Sequence, residues 1–209
     1  SGLASALAAA KNGARVILAE DKPRFGGSLL TSEVTIGNQS GREWVKNIIT
    51  ELKAMPNVII KNRSQVFGYY DHNMLVMSER ISDHLPKSKE YIPKQKLWYI
   101  RSKEVIISSG SIERPLVFGN NDTPGVMLSS AAKEYLKIYG VLVGKKPLIF
   151  TNNDSGYETA IEFKKNGIDP VILDTRKDTN SEIINEAKNL NIKIKFSYVV
   201  IAAKGYKKV

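Results

Sequence analysis

The chain has 209 residues, 42% hydrophobic and 25% charged, with 15 glycines and 8 prolines spread along it; this is the make-up of a folded globule of one large domain or two small ones, and it excludes a chain disordered throughout. No apolar run reaches the roughly 18 residues that cross a bilayer as a helix, and the absence of cysteine excludes disulfides, thiolate metal sites and cysteine nucleophiles. The net charge of +10, from 31 Lys and Arg against 21 Asp and Glu, is strewn along the chain instead of gathered on one block, which argues against nucleic acid as the main partner.

The opening run Ser1–Asn12 is small and apolar almost throughout and ends in Asn12-Gly13, ahead of Arg15-Val16-Ile17-Leu18-Ala19-Glu20. That pattern predicts a buried helix stopped by glycine, then a strand buried on both faces. Such a pair is the second half of a β-α-β unit, so the sequence predicts an α/β fold lacking its first strand. Arg42–Met55 carries Trp44, Val45, Ile48, Ile49 and Leu52 at helical spacing and is followed by Pro56 and a strand at Asn57–Lys61. Three runs, Gln65–Tyr70, Met74–Glu79 and Lys96–Ile100, predict an antiparallel insert at about residues 64–100, interrupted by Asp71-His72-Asn73 and by the polar stretch Ser82–Gln95. Glu104–Ser108 reads as another buried strand.

From Lys146 the alternation restarts, after a helix at Ser129–Tyr139 closed by Gly140. Strands at Pro147–Thr151, Pro170–Asp174 and Ile192–Ser197 alternate with helices at Gly156–Asn166 and Asn180–Leu190, which predicts a second parallel α/β unit. The division is placed at residue 118: residues 1–118 form a first dinucleotide-binding unit with the β insert, and residues 119–209 a second Rossmann-like unit without a nucleotide of its own.

The most specific chemical signal pairs Ser1-Gly2, at the head of the apolar helix, with Glu20 at the tip of the next strand. In a dinucleotide-binding unit the last glycine of the phosphate turn lets helix and strand approach, and an acid about 20 residues on accepts the ribose hydroxyls. Gly2 to Glu20 is 18 residues, and an acid there favours NAD or FAD over a 2′-phosphorylated nucleotide. Alternatively Gly2 is an incidental glycine and Glu20 a solvated strand end. Asp21, Lys22 and the loop Pro23-Arg24-Phe25-Gly26-Gly27-Ser28 let backbone approach a ligand and bring cations near a phosphate, or form a plain surface turn. Ser108-Ser109-Gly110 resembles the short strand-to-loop motif that passes beneath a dinucleotide. In the second unit the turn reads Asn152-Asn153-Asp154-Ser155-Gly156, and Asp154 would repel a pyrophosphate while the asparagines could cap the helix.

Tyr69-Tyr70-Asp71-His72-Asn73 either touches a ligand or forms a tight turn, with the turn favoured. His84 lies in polar sequence, and Trp44 and Trp98 fall on apolar faces expected to be core. Neither histidine stands at a zinc-like spacing from other ligands, so no metal site and no catalytic residue is assigned.

Four stretches in order, Val66–Asn73, Ile112–Phe118, Asn120–Leu128 and Thr151–Ser155, make the chain resemble the alpha subunit of heterotetrameric sarcosine oxidase over essentially its whole length. The resemblance implies a two-dinucleotide-binding-domain, FAD/NAD(P)-binding fold that holds NAD and serves as scaffold. In that family sarcosine is oxidised on a partner subunit carrying FAD, a covalent FMN passes electrons to oxygen, and a separate folate-binding domain takes the one-carbon unit as a tetrahydrofolate adduct. Carried over position by position, NAD contacts fall on Ser1 and Gly2 at the pyrophosphate turn, on Glu20, Asp21 and Lys22 at the adenosine ribose, on Ser28 after the glycine pair, and on the Val66 backbone beside the adenine; Gly27 of the glycine pair and Gly110 of the strand-to-loop motif are further cofactor-binding candidates. Ser1 and Lys22 depart from the family's usual alanine and arginine, and a lysine gives no bidentate contact. Absence of the opening strand and of two phosphate-turn glycines predicts weakened NAD affinity in this chain. The implied partners are the beta, gamma and delta subunits, and the implied location is the cytoplasm.

Two other readings stay open: a subunit of a related amine or opine dehydrogenase, and a non-catalytic α/β binding module. A disulfide reductase shares the double dinucleotide fold but needs a cysteine pair, which this chain does not have.

Overall fold

Alanine-rich sequence has the highest helix propensity and the smallest side chains, and helix α1 (Gly2–Lys11) uses both. It buries Leu3, Ala6 and Ala10 against Val45, Ile48 and Leu52 of helix α2 (Gly41–Ala54). The computed structural model describes residues 1–86, 91–205 and 209. These divide into two units, Ser1–Gly110 and Ser111–Val209.

In the first unit, strand β1 (Val16–Ala19) pairs in parallel with β4 (Val58–Lys61). Val16, Leu18, Val58 and Ile60 pack against the helices, while Ile17 and Ile59 form a pair on the opposite face, 41% and 48% exposed. Burial of the first strand on both faces is therefore corrected: the helices cover one face only. Between the two strands come a 3-10 turn (Gly27–Leu30) and the short hairpin of β2 (Thr35–Ile36) and β3 (Gln39–Ser40). Helix α2 begins with a capping box, in which Ser40 and Glu43 satisfy each other's backbone N–H groups. Its buried Leu52 is worth roughly 1.5–3 kcal/mol by transfer from water.

The insert forms as the sequence predicts. Strands β5 (Ser64–Tyr70), β6 (Met74–Arg80) and β7 (Gln95–Arg101) make an antiparallel meander in that order. His72 and Asn73 take left-handed backbone in the tight turn between β5 and β6, and Tyr69 Oη donates to Asn73 Oδ1 across it at 2.7 Å. Part of the polar stretch before β7, residues 87–90, lies outside the described residues. Trp98 is not core, contrary to expectation. Its indole N–H donates to Glu79 (2.7 Å), Glu79 accepts Lys61 Nζ (2.9 Å), and Lys61 and Lys96 stand over the ring, so that a polar clamp joins the meander to β4.

Glu104–Ser108 is not a strand. No described strand lies beside it to complete its hydrogen bonds, and Ile106 and Ile107 are 65% and 72% exposed.

The second unit is a three-stranded parallel sheet in the order β10 (Lys193–Phe196), β9 (Val171–Asp174), β8 (Leu148–Thr151). Helices α4 (Ser155–Lys165) and α5 (Glu182–Asn189) connect its strands, and α3 (Ser129–Tyr139) precedes them, ending on Gly140 in the left-handed conformation. The core joins Ile149, Tyr157, Ala160, Phe163, Ile172, Ile184 and Ala187.

Candidate functional site

Helix α1 runs into β1 and packs on it, so its N-terminus sits at the end of the sheet where β1 finishes. Ser1 is the N-cap residue but makes no side-chain capping bond, so its hydroxyl does not occupy the leading N–H groups of the helix. A β-carbon on Gly2 would come 3.1 Å from Ser108 Cβ. Glycine is what lets the helix start lie against residue 108, and Gly110, two residues on, has left-handed backbone with open space around it.

Glu20 follows β1 directly and extends its ladder, since its N–H donates to Lys61 O at 2.9 Å. The next residues are laced to the turn after β4: Ser64 N–H to Glu20 O (2.8 Å), Arg63 N–H to Lys22 O (3.1 Å) and Asn62 Nδ2 to Pro23 O (3.0 Å). Glu20 Oε1 accepts the Lys22 N–H at 3.0 Å. Burial, and after it the adjoining Asp21 side chain, push the Glu20 carboxyl above its ordinary value. Two crowded carboxylates at a strand end are a set of acceptors, and the vicinal hydroxyls of a ribose are donors of matching chemistry. The residues present thus fit the adenosine end of a dinucleotide.

The other predicted contacts are placed as follows. Val66 is exposed in β5, just before a bulge that leaves Phe67 out of the pairing with β6. Gly27 and Ser28 lie in the 3-10 turn, where the Ser28 carbonyl accepts Thr31 and Ser32 N–H groups. The structure therefore brings together Ser1 and Gly2 with the run to Gly110, and Glu20–Lys22 with residues 61–64.

One hollow of about 370 Å³ opens beside the acidic pair, lined by Asp21, Arg63, Gln65, Ser78, Arg80 and Gln95. Of the predicted contacts only Asp21 lines it. Sequence reasoning missed its arginines. Arg63 sits in a polar turn and Arg80 at a strand end, positions at which arginine is ordinarily just solvated.

In the second unit the strand-end acid is engaged internally. Asp174 is fully buried and accepts Tyr157 Oη (2.7 Å), Arg176 N–H (2.9 Å) and Arg176 Nη2 (2.8 Å), and Arg176 also pairs with Asp154 (2.9 Å). Burial raises the Asp174 carboxyl, but the Arg176 side chain and backbone and the Tyr157 hydroxyl outweigh it and leave the group below the usual carboxylate range. The Asn153 side chain accepts the Ser155 N–H (2.9 Å) at the head of α4.

Parallel sheets flanked by helices, with an antiparallel meander, make an α/β fold of the Rossmann-like, FAD/NAD(P)-binding type. Solved structures of that fold include thioredoxin reductase from T. acidophilum, similar at a TM-score of 0.69 and 17% identity over 99% of this chain and 64% of that one. L-proline dehydrogenase from P. horikoshii is similar at a TM-score of 0.66 and 23% identity over 87% of this chain and 34% of that one. No protein-family model matches the chain. In sequence it is 42% identical over 177 residues to the alpha subunit of sarcosine oxidase from Rhizobium meliloti (strain 1021), covering 84% of this chain and 18% of that protein. It is 34% identical over 203 residues to the corresponding protein of Corynebacterium sp. (strain P-1), covering 96% and 21%, and 25% identical over 163 residues to an opine oxidase subunit of Agrobacterium tumefaciens (strain Ach5), covering 72% and 31%. Over the stretch it spans, the chain belongs with the sarcosine oxidase alpha subunits, of whose length it represents about a fifth.

Proposed function

We propose that this chain is the NAD-binding portion of the alpha subunit of a sarcosine oxidase-type complex. In that complex the N-methyl group of sarcosine is oxidised, water or tetrahydrofolate takes up the one-carbon unit as formaldehyde or methylenetetrahydrofolate, glycine leaves, and oxygen is reduced to hydrogen peroxide. FAD, FMN and the folate belong to other parts of the complex, and the beta, gamma and delta subunits are the partners. The region is a scaffold for a dinucleotide, with no residue assigned to amine oxidation, and its proposed location is the cytoplasm.

The observation that carries the reading is the acidic strand end: Glu20 and Asp21, held against residues 61–64 by backbone hydrogen bonds, at the same end of the sheet as the start of α1. Glu20 and Asp21 would take the ribose hydroxyls, Ser1 and Gly2 the pyrophosphate, and the Val66 backbone the adenine edge; Gly27, Ser28 and Gly110 would flank the bound molecule. A bound nicotinamide dinucleotide supplies a ring that accepts or donates hydride. Asp174 is engaged by Tyr157 and Arg176, and Arg176 pairs with Asp154, which supports a second unit without a nucleotide.

Thermal melting of the chain titrated with NAD, NADP and FAD tests this reading. A ligand at 100 times its dissociation constant stabilises by about 2.7 kcal/mol. NAD is expected to raise the midpoint, and Glu20→Ala to remove that rise. An unchanged midpoint with NAD in the whole alpha subunit overturns the proposal. The similarity to an opine oxidase favours one second reading, a component of an enzyme that oxidises opines or related amines; a complex purified with this chain that oxidises opines and leaves sarcosine untouched would select it.

A further inference from the structure

We propose that the hollow beside the acidic strand end is a binding site for a phosphoryl dianion, with Arg63 and Arg80 as its anchors. The site stands on its own residues and does not depend on the dinucleotide reading, although it shares Asp21 with it.

Arg63 and Arg80 are neighbours by backbone geometry as well as by lining: the Arg80 N–H donates to the Arg63 carbonyl at 2.9 Å, and the Arg63 N–H to the Lys22 carbonyl at 3.1 Å. Arg63 is held in left-handed backbone (φ 52°), a conformation unfavourable for a side chain of its size and maintained here by hydrogen bonds on both sides. Two guanidinium groups side by side repel unless something anionic lies between them. Yet among the described residues neither forms an ion pair, and the Arg80 guanidinium reaches the Asp21 carbonyl at 3.5 Å. Arg176, by contrast, is paired with Asp174 and Asp154.

The rest of the lining fixes the chemistry. Ser78 contributes a hydroxyl, and its oxygen lies 3.4 Å from Gln95 Oε1. The Gln95 amide donates to Asp83 at 2.8 Å, so Asp83 is already engaged outside the lining. Among the described residues Asp21 is the carboxylate that lines the hollow, and it leans on Glu20. Both arginines line the same hollow. A tetrahedral dianion accepts from both forks at once, whereas a single carboxylate engages one fork and leaves the other unpaired. The phosphoryl group has two possible sources, the 2′-phosphate of a dinucleotide or a separate phosphate, because the hollow adjoins the residues proposed to hold the ribose.

The test is calorimetric titration of the chain with inorganic phosphate, NADP and NAD, repeated on Arg80→Gln and Arg63→Lys. Inorganic phosphate is expected to bind, roughly tenfold or more weakly in Arg80→Gln, and less tightly as salt is raised. The Arg63→Lys variant keeps the charge and loses the fork, so its affinity should fall between the two. If NADP displaces phosphate while NAD does not, the source is the 2′-phosphate. If phosphate and NAD bind together and NADP competes with neither, the source is a separate phosphate. Absence of phosphate binding, or equal binding by wild type and Arg80→Gln with circular dichroism showing both folded, overturns the proposal. Glu20→Ala separates the two readings: loss of NAD binding with phosphate binding intact tests the ribose site alone.

Discussion

Glu20 and Asp174 are both acids at the end of a parallel strand, and their surroundings push their titrations in opposite directions. Glu20 is raised by burial and by Asp21, so its folded value lies above its unfolded one. The stability it contributes is fully present below the ordinary carboxylate range and is lost as pH rises through the raised value. Glu20→Gln should therefore melt higher than wild type at neutral pH, with the gap closing as the pH falls into the carboxylate range, and should bind NAD less well; melting curves across pH with and without NAD check both. Asp174 has the opposite sign, because the Arg176 and Tyr157 bonds outweigh its burial. Arg176→Ala leaves a buried charge with only the Tyr157 hydroxyl and the residue-176 backbone N–H as the donors named above and is expected to cost about 3–5 kcal/mol, whereas Tyr157→Phe, which keeps the arginine, should cost about 1–3 kcal/mol. Urea unfolding of the two variants orders them.

At the scale of elements, helix ends explain more than helix middles. Helix α3 has Leu128 as its N-cap residue and no side-chain bond from it. Its first N–H groups are taken by Glu113, from the loop ahead of it, at 3.2 Å from Ser129 N and 2.7 Å from Ser130 N. Burial raises the Glu113 carboxyl, but those serine contacts outweigh it and hold the group low. Glu113→Ala is expected to cost about 1 kcal/mol, seen as a lower urea midpoint with an unchanged slope. Helix α2 carries its own cap in sequence, Ser40 with Glu43, and its start was legible; the cap of α3 was not, because a carboxylate sixteen residues away leaves no local pattern. The Glu104–Ser108 run shows the converse. Its composition is that of a strand, but strand formation needs a neighbour to take its N–H and C=O groups.

Across the whole molecule, Glu43, Glu79, Glu113 and Asp174 all sit below their ordinary values: Glu43 through the backbone and side chain of Ser40, the other three through hydrogen bonds that outweigh burial. Each contributes stability that is present above the unfolded carboxylate pKa and is lost as pH falls through its lowered value, whereas Glu20 has the opposite sign. The melting temperature is expected to drop steeply once pH goes below about 4, and a calorimetric pH series reads this directly.

The sequence by itself determined the class of fold, its longer helices and the parallel strands beside them, the antiparallel insert and the acid at the tip of the first strand. Each of these rests on local periodicity, on glycine at a turn, or on a spacing between two residues of one β-α-β unit. Only the tertiary structure decided which strand face stays open, that Trp98 clamps a salt bridge, that Arg176 and Tyr157 engage Asp174, and that Arg63 and Arg80 share a hollow with Asp21. Most of those outcomes depend on contacts between residues far apart in the chain or on backbone in a left-handed well, and the Arg176–Asp174 pair depends on burial that the rest of the fold supplies. A one-dimensional pattern carries no record of either.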